Sequence, residues 1–417
     1  MNTSSEYIPN FRNPSNGYKD HGLIYKISLY SLLIFTFTIP WADGVFDGLV
    51  RIFGLLSIGM ASFYLVTSGT HKNYSYFHIS VVFLWGWIIL SVAWTPSLES
   101  GLIMAPRLFQ LMFLPFLLTL ILNNRTSHIL AYQSYVLGNF VGSSIILYNY
   151  LNGIESPYYG RYTIQNIETD TMSIILALAI PMAAFLTSVL KNKWMRMINT
   201  LFIPFIVFAI FLTGTRTGSI VAIIGILYWL YTHKKASAKI KFTIFVMFII
   251  SIFAILNLAP KASVDRVFSA GKSIQSGSLN YRTVIWSASL SQWKTSPIIG
   301  TGLGGLGHVL SREHVNYEEA HNTHLQILVE NGIIGVLFYI LLELSILLLI
   351  LKVPPNPEKT FLLALFFSVL VSQLTLHTHL QKETWLAFTM LVIHSLSLSR
   401  HAHATDKQLK SNLFTFR

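Results

Sequence analysis

Long apolar segments recur along the whole chain and set the strongest limit on what it can fold into. A window of about 19 residues finds them near 23–41, 46–67, 77–94, 102–122, 129–149, 171–190, 197–213, 217–232, 240–258, 324–351, 361–377 and 384–399. Most are long enough for a helix to cross a bilayer, which takes roughly 17–25 residues. The runs are continuous and not alternating, so they favour spanning helices over a barrel. The sequence therefore predicts an all-α integral membrane protein with about 12 transmembrane helices.

The composition supports the same class. Hydrophobic residues make up 53% of the chain and charged residues 11%, which is too apolar for an ordinary soluble domain. The 417 residues include no cysteine, which excludes disulfides, thiolate nucleophiles and cysteine metal sites. The first apolar segment is not followed by a small-residue cleavage site, so we expect it to be retained as a span.

Lysine and arginine are distributed unevenly over the connections between these segments. If the N-terminus is cytoplasmic, the short outside connections carry only Arg161, Arg216 and Lys382, and most other basic residues lie inside. This bias predicts that both termini are cytoplasmic. The net charge of +12 is then a topology signal with some attraction to anionic membrane lipid, and we expect no nucleic-acid partner.

One outside connection, about 259–323, is far longer than the others. Connections of this length in a compact protein are usually functional. Trp286 and Trp293 follow Arg282 at helical spacing and precede Pro297, which predicts a short amphipathic helix. The simplest alternative role for that helix is to lie on the membrane surface.

The same connection contains GTGLGGLG, residues 300–307, which satisfies GxGxxG. That fingerprint indicates a dinucleotide site only between a strand and a helix, whereas this segment lies between membrane spans. We therefore interpret these glycines as residues that permit tight turns or close approach of the backbone.

Two histidines stand directly before an apolar run in EEAHNTHLQILVENGIIG, residues 318–335. Thr323 and Gln326 form a capping-box pattern, so we expect a helix to begin at Thr323 and His321 to lie just ahead of it. The positive end of the helix dipole disfavours imidazolium. A neutral histidine is the state that a general base requires, which makes His321 a candidate base.

Two alternatives remain for this stretch. His321 and His324 could merely satisfy backbone groups at the helix end. They could also bind a metal together with Glu318 and Glu319, although the spacing is not that of HExxH.

Arg216, in LTGTRTGS at 212–219, lies at the junction between two predicted spans. An arginine so near hydrocarbon is unfavourable unless it snorkels to the interface or has an anionic partner. The guanidinium fork matches phosphate geometry, so a phosphate ligand is the functional alternative to snorkelling.

Taken together, these motifs resemble one known family. The residues that carry the resemblance are GTRTG at 214–218, YRTVIW at 281–286, PIIGTGLG at 297–304 and AHNTHLQILVENGIIG at 320–335. In this order, and with the twelve segments, they are similar to the O-antigen ligase and O-antigen polymerase superfamily, and more specifically to the ligases. LSVAWTPS at 90–97 is similar to a weaker family pattern. The resemblance covers nearly the whole topology, with its sharp motifs between about 205 and 340.

The resemblance implies a GT-C-like glycosyltransferase that acts on the periplasmic face of the bacterial inner membrane, without metal or other cofactor. It implies a donor glycan on undecaprenyl diphosphate, an acceptor sugar hydroxyl of lipid A-core, and a place in lipopolysaccharide biosynthesis. By motif position, Arg216 and Arg282 match the family's diphosphate-engaging arginines. His321 matches the histidine that activates the acceptor hydroxyl, and direct displacement of this kind inverts the anomeric centre.

This interpretation divides the chain into five parts. They are a cytoplasmic N-terminal segment at 1–22, transmembrane helices 1–9 at 23–258, a large periplasmic loop with short helices at 259–323, transmembrane helices 10–12 at 324–399, and a cytoplasmic tail at 400–417.

Several charged residues are left as further candidates. Possible additional substrate contacts are His324, Arg266, Arg312 and Arg161. Arg51, Arg107 and Glu343 fall inside predicted spans, where ionisable residues are functional candidates by default, and the sequence assigns them no role.

Three other functions remain open at this point. An O-antigen polymerase and a protein O-oligosaccharyltransferase share the general plan of the superfamily. A polysaccharide transporter could also have twelve spans, but transporters usually carry internal repeats. The long connection and its motifs occur once here, in the second half of the chain.

Overall fold

The structure, a computed structural model, describes residues 22–46, 48–68, 74–234, 237–268, 282–312 and 319–414. Within these ranges the regular structure is helical and includes no strand. The α-helices are α1 Leu23–Thr38, α2 Ala42–Val45, α3 Leu49–Ser68, α4 Tyr76–Leu90, α5 Leu98–Ile121, α6 Arg125–Leu151, α7 Thr169–Val189, α8 Lys193–Leu212, α9 Arg216–Thr232, α10 Ala238–Leu258, α11 Lys261–Phe268, α12 Arg282–Trp293, α13 Gly305–Arg312, α14 Thr323–Leu351, α15 Pro357–Gln373 and α16 Lys382–Phe414.

The apolar segments of the sequence all coincide with helices. By length and composition, 7 helices of the described residues suffice to cross a membrane, and α1 and α9 are shorter apolar helices. The seven candidate spans are Leu49–Thr67, Tyr76–Trp94, Gly101–Ile121, Thr169–Val189, Lys193–Leu212, Lys241–Leu258 and Thr323–Leu351. An all-helical protein of integral-membrane character is therefore confirmed, while the total of twelve spans and the GT-C-like arrangement stay predictions.

Helix α7 forms the centre of the bundle. In Thr169–Val189, 89% of the apolar stretch that could cross a membrane is buried within the protein, and α7 packs against α6, α8, α9 and α15. Burial on every side suits a helix whose sequence is apolar around its whole circumference. Glu168 and Asp170 lie at the start of α7, so the central helix places both carboxylates at one end of the bundle.

Helix α14 is sharply broken, although the sequence predicted one continuous span near 324–351. Gly332 has φ 66° and ψ −169°, a conformation that lies outside the helical region. Nε2 of His324 lies 3.1 Å from Oε2 of Glu343. In a straight helix, residues so far apart in the chain would be separated by about 28 Å, at 1.5 Å per residue. The arms 323–331 and 333–351 therefore lie side by side.

The glycine-containing connection packs onto this break. The backbone N–H of Thr301 donates to the carbonyl of Val329 at 2.9 Å, and that of Gly302 donates to the carbonyl of Glu330 at 2.8 Å. Gly302 has φ 92°, which favours glycine, and a side chain there would contact the backbone of Thr95. The interpretation of these glycines as residues for tight turns and close backbone approach is confirmed.

The LSVAWTPS segment, 90–97, holds the other side of the break. Oγ1 of Thr95 donates to the carbonyl of Leu303 at 2.8 Å. Nδ2 of Asn331 donates to Oγ of Ser91 at 3.0 Å. Three segments that are distant in sequence thus fix the path of the chain on both sides of Gly332.

The structure describes the two predicted ends of the chain to different extents. Residues 1–21 of the expected N-terminal segment lie outside the described residues. At the other end, the predicted span at 384–399 and the first part of the predicted tail at 400–417 belong to one helix, α16, which ends at Phe414. The division of the chain into membrane and cytoplasmic parts stays a prediction.

A candidate active site at one end of the bundle

Side chains from several parts of the chain meet at the end of the bundle where α7 begins. Glu319 and His321 come from the segment ahead of α14, and His377 comes from the connection between α15 and α16. Arg282 is the first residue of α12, and Arg216 is the first residue of α9.

Glu319, His321 and His377 form the centre of this site. Their potential ligand atoms all lie within 4.8 Å of one another. Nε2 of His377 is 2.8 Å from Oε1 of Glu319. His377 could not be singled out from the sequence, because its partners are far away in the chain. The available signal was LHTHL at 376–380, a pair of histidines between two apolar segments.

The segment ahead of α14 is held by its neighbours on both sides. Helix α14 begins at Thr323, as predicted. The capping side chain is that of Asn322, whose Oδ1 accepts from the Leu325 N–H at 2.9 Å. Thr323 instead ties the helix to the α15–α16 connection, since its Oγ1 donates to the carbonyl of Leu376 at 2.9 Å.

Helix α12 supports the same segment. Nε1 of Trp286 donates to the carbonyl of Ala320 at 2.9 Å. Ile285 is fully buried in a small core with Leu306 and Val329. The tryptophan-containing helix therefore packs on the protein beside His321 and does more than lie on a membrane surface.

The backbone of His321 is strained. His321 has φ 48° and Asn166 has φ 62°, and these are the non-glycine residues with positive φ among those described. Such conformations cost about 1–3 kcal/mol and tend to occur at functional sites. Nδ1 of His321 is also buried and has no hydrogen-bond partner within the described part of the chain.

The surroundings of His321 favour its neutral form. Burial and then the positive charge of Arg282 lower the pKa of His321, while Glu319 and Asp170 act in the opposite direction. Burial alone would raise the pKa of Glu319, but the hydrogen bond and charge of His377, together with His321 and Arg107, lower it overall. The site thus combines a histidine that resists protonation with a carboxylate that stays ionised.

A cluster of arginines lies beside this histidine. Nε of Arg216 donates to the carbonyl of Arg266 at 2.8 Å. Burial lowers the pKa of Arg282, Asp170 opposes that effect, and the charges of Arg216 and Arg266 lower the pKa further. Like charges this close together repel one another, so the arrangement suits a polyanionic ligand.

Arg161 has a supporting role in this geometry. Its side chain is only 5% exposed, and one terminal nitrogen lies 2.9 Å from Oδ1 of Asp170. Its Nε donates to the carbonyl of Thr213 at 2.8 Å. Arg161 therefore joins the 151–170 connection to the loop that carries Arg216.

The remaining candidate residues either are not part of the central cluster or have side chains that the structure does not describe. His324 is paired with Glu343, and its side chain is not one of the three clustered groups. Arg312 is the last residue of α13, and its side chain lies outside what the structure describes, as does Glu318.

A cavity of about 680 Å³ opens beside Glu319 and His377. Its polar lining includes Gln110, Asn166, Glu168 and Gln381. Arg51 and Arg107 also line it, so these two intramembrane charges are now placed.

Glu319, His321 and His377 are also the residues that could hold a divalent metal ion. Two histidines and one carboxylate are a common donor set for zinc. Here, however, Glu319 and His377 already lie 2.8 Å apart as a bonded pair, which an ion would have to displace. The expectation of metal-independent chemistry stays a prediction.

These features define a multi-pass helical membrane protein with a cluster of histidine, carboxylate and arginine side chains at one end of its bundle. Residues 201–340 match the family model described as O-antigen ligase. This match covers the sharp motifs and agrees with the resemblance found from them: this part of the chain is similar to the O-antigen ligase family. The family in general implies ligase or polymerase activity on lipid-linked glycans in a membrane. No curated protein sequence matches the chain.

Proposed function

We propose that the protein is an O-antigen ligase that transfers a glycan from undecaprenyl diphosphate to a sugar hydroxyl of lipid A-core. The reaction takes place on the periplasmic face of the inner membrane, with both termini of the chain in the cytoplasm. The observation that carries the proposal is that His321 lies within the matched segment, close to the Glu319 carboxylate, with its pKa lowered by burial and by the charge of Arg282.

The donor lipid has a matching surface next to the arginines. An apolar cavity of about 220 Å³ lies between α8, α9 and α10. Phe211 and Phe268 line it, and they stand a few residues from Arg216 and Arg266 in the chain. A polyprenyl chain in this cavity would bring its diphosphate to Arg216 and Arg282.

The chemical step needs a base and a site for the leaving group. The acceptor oxygen attacks the anomeric carbon as the bond from that carbon to the diphosphate oxygen breaks, which inverts the configuration. The imidazole of His321 takes the hydroxyl proton, and the Glu319 carboxylate stabilises the resulting imidazolium. The arginines stabilise the charge that develops on the departing diphosphate, so this step requires no cofactor.

The proposal is tested with purified protein and a lipid-linked glycan. Two acceptors are offered in parallel, a rough lipopolysaccharide and a second lipid-linked repeat unit, with His321→Ala as the inactive control. We expect glycan on the lipopolysaccharide in the wild-type reaction only. Product on the second lipid-linked unit would identify a polymerase, and glycan on an added protein acceptor would identify a protein O-oligosaccharyltransferase. Movement of the lipid-linked glycan across a membrane without transfer would indicate a transporter.

A further inference from the structure

A second apolar groove lies on a different part of the bundle, between α1, α3 and α5. Leu111, Leu114 and Leu117 of α5 face it, together with Phe35 of α1 and Leu55 of α3. Arg51, Arg107 and Lys382 also line it. The groove therefore combines a surface for hydrocarbon with a cluster of cations.

The cations of this groove differ in their partners. Lys382 forms an ion pair with Asp43. A terminal nitrogen of Arg107 donates to Oε1 of Gln381 at 3.2 Å, which is a neutral partner. Arg51 and Arg107 are both exposed, so two guanidinium groups are presented to whatever occupies the groove.

The groove leads to the candidate active site. Arg51, Arg107, Gln110 and Lys382 line both the groove and the 680 Å³ cavity beside Glu319. A lipid in the groove would therefore place its headgroup in a cavity that reaches the site.

The cavity itself is suited to sugars. Asn166, Gln381 and Thr171 supply amide and hydroxyl groups that can donate to or accept from sugar hydroxyls. Glu168 also lines the cavity and offers a further hydrogen-bonding group to a sugar hydroxyl.

The arginines near the site fall into two groups, Arg216 with Arg282 and Arg51 with Arg107, and each group influences a different catalytic residue. Arg282 lowers the pKa of His321, whereas Arg107 lowers the pKa of Glu319. Neither Arg216 nor Arg282 lines the 680 Å³ cavity. A donor held by Arg216 and Arg282 would thus leave the Arg51–Arg107 groove available to a second lipid.

We propose that this groove and the adjoining cavity bind the acceptor, a membrane glycolipid with a phosphorylated sugar headgroup. The apolar side chains of the groove contact an acyl chain, Arg51 and Arg107 bind a phosphate, and the cavity holds the sugars beside Glu319 and His377, within reach of His321. The inference rests on the proposed function and deepens it by locating the second substrate.

The first test measures binding without the donor, in detergent. The ligands are a rough, phosphorylated acceptor glycolipid and its dephosphorylated form. Arg51→Gln and Arg107→Gln should each weaken binding of the phosphorylated form roughly 10- to 100-fold, the range for a hydrogen bond between charged groups. They should leave binding of the dephosphorylated form nearly unchanged. Lys239→Gln, an exposed charge on α10, is the control for general electrostatic attraction.

The second test examines the groove itself with two glycines of α3. A side chain at Gly54 would approach the ring of Phe35 at 3.2 Å and fill the groove, whereas one at Gly59 meets nothing within 4 Å. Gly54→Phe should raise KM for the acylated acceptor while leaving KM for a deacylated, water-soluble acceptor unchanged. Gly59→Phe, the same change on the same helix, should leave both KM values unchanged.

The outcomes separate the site from the proposed function. If the wild-type protein transfers glycan to no acceptor but the binding pattern holds, the ligase function fails and the glycolipid site stands. If transfer occurs and the two arginine variants raise only KM for the donor, the groove belongs to the donor and the inference is overturned. Equal wild-type affinity for the phosphorylated and dephosphorylated glycolipids would overturn it as well.

Discussion

Nε2 of His377 lies 2.8 Å from Oε1 of Glu319, which joins the connection between the last two helices to the segment that carries His321. This contact fixes the carboxylate next to His321. In the proposed reaction Glu319 stabilises the imidazolium form of His321, so His377 acts as a positioning residue through Glu319.

The first prediction concerns this pair. His377→Phe should lower kcat by roughly 10- to 100-fold, since it removes a charge-assisted hydrogen bond worth about 1.5–3 kcal/mol. KM for the donor should change little, because the arginines hold the diphosphate. Kinetics at several donor concentrations separate the two parameters. His324→Ala is the control, since that histidine is paired with Glu343 and is not one of the three clustered side chains. An inactive His324→Ala beside an active His321→Ala would show that the wrong histidine has been assigned.

The second prediction concerns pH. Burial and Arg282 hold the pKa of His321 below its ordinary value of 6.5. The base works in its neutral form, so activity should persist below pH 6.5 and fall only as the pH drops through the lowered pKa. Glu319 opposes the shift, so Glu319→Gln should lower the pKa of His321 further and move the acid limb of kcat/KM to lower pH. An acid limb that moves to higher pH in this variant would contradict the assignment of His321 as the base.

The third prediction concerns the break in α14. Gly332→Ala places a side chain at φ 66°, against the backbone of Ile298. We expect a cost of about 1–3 kcal/mol in folding free energy from backbone strain. The thermal midpoint in detergent, at one fixed scan rate, should fall. Gly86→Ala on α4 is the control, because a side chain there meets open space and should leave the midpoint unchanged or raise it. Equal midpoints for the two variants would show that the break does not need glycine.

The helices could be predicted from the sequence because hydropathy is a local property. Arg216, Arg282 and His321 could be selected by their motifs, and the structure brings Arg282 close enough to His321 to influence its pKa. The role of Glu343 could not be predicted, since its partner His324 is reached only through the reversal at Gly332. The dipeptide Asn331–Gly332, a turn signal inside an apolar run, is the local sequence feature that marks the position of that reversal.

The rest of the site depends on tertiary contacts that leave no local pattern. His377 meets Glu319 where hydrogen bonds such as that of Thr323 tie α14 to the α15–α16 connection. Arg51 and Arg107 belong to different helices, and their shared cavity exists only after α3 and α5 have packed. The charged residues could therefore be identified from the sequence, but which of them share a cavity could not.

The fourth prediction concerns metal. Activity should survive exhaustive chelation, because the proposed step assigns the diphosphate charge to arginines. The measurement is turnover before and after EDTA, with Mg²⁺, Mn²⁺ or Zn²⁺ added back. Loss of turnover with recovery on one of these ions would contradict the prediction. Glu319, His321 and His377 would then be the ligand set to test, since their donor atoms lie within 4.8 Å of one another.

The fifth prediction separates catalysis by the arginines from anchoring at the membrane surface. If Arg216 and Arg282 only reach the interface, lysine should replace either with little loss, because its long stem reaches equally far. If they bind a diphosphate through paired donors, lysine keeps the charge but loses the bidentate geometry. Each substitution should then cost about 1.5–3 kcal/mol, or roughly 10- to 100-fold in rate.

The double variant tests whether the two arginines act on one ligand. If both contact the same diphosphate, the free-energy losses of Arg216→Lys and Arg282→Lys should not add, whereas separate roles predict additive losses. The measurement is kcat/KM for both single variants and the double variant, in membranes containing matched amounts of protein. Lys241→Arg, at the start of α10 and away from the site, controls for exchange of the cation itself. Full activity in both single lysine variants would rule out the diphosphate role and leave these arginines as contacts to the lipid surface.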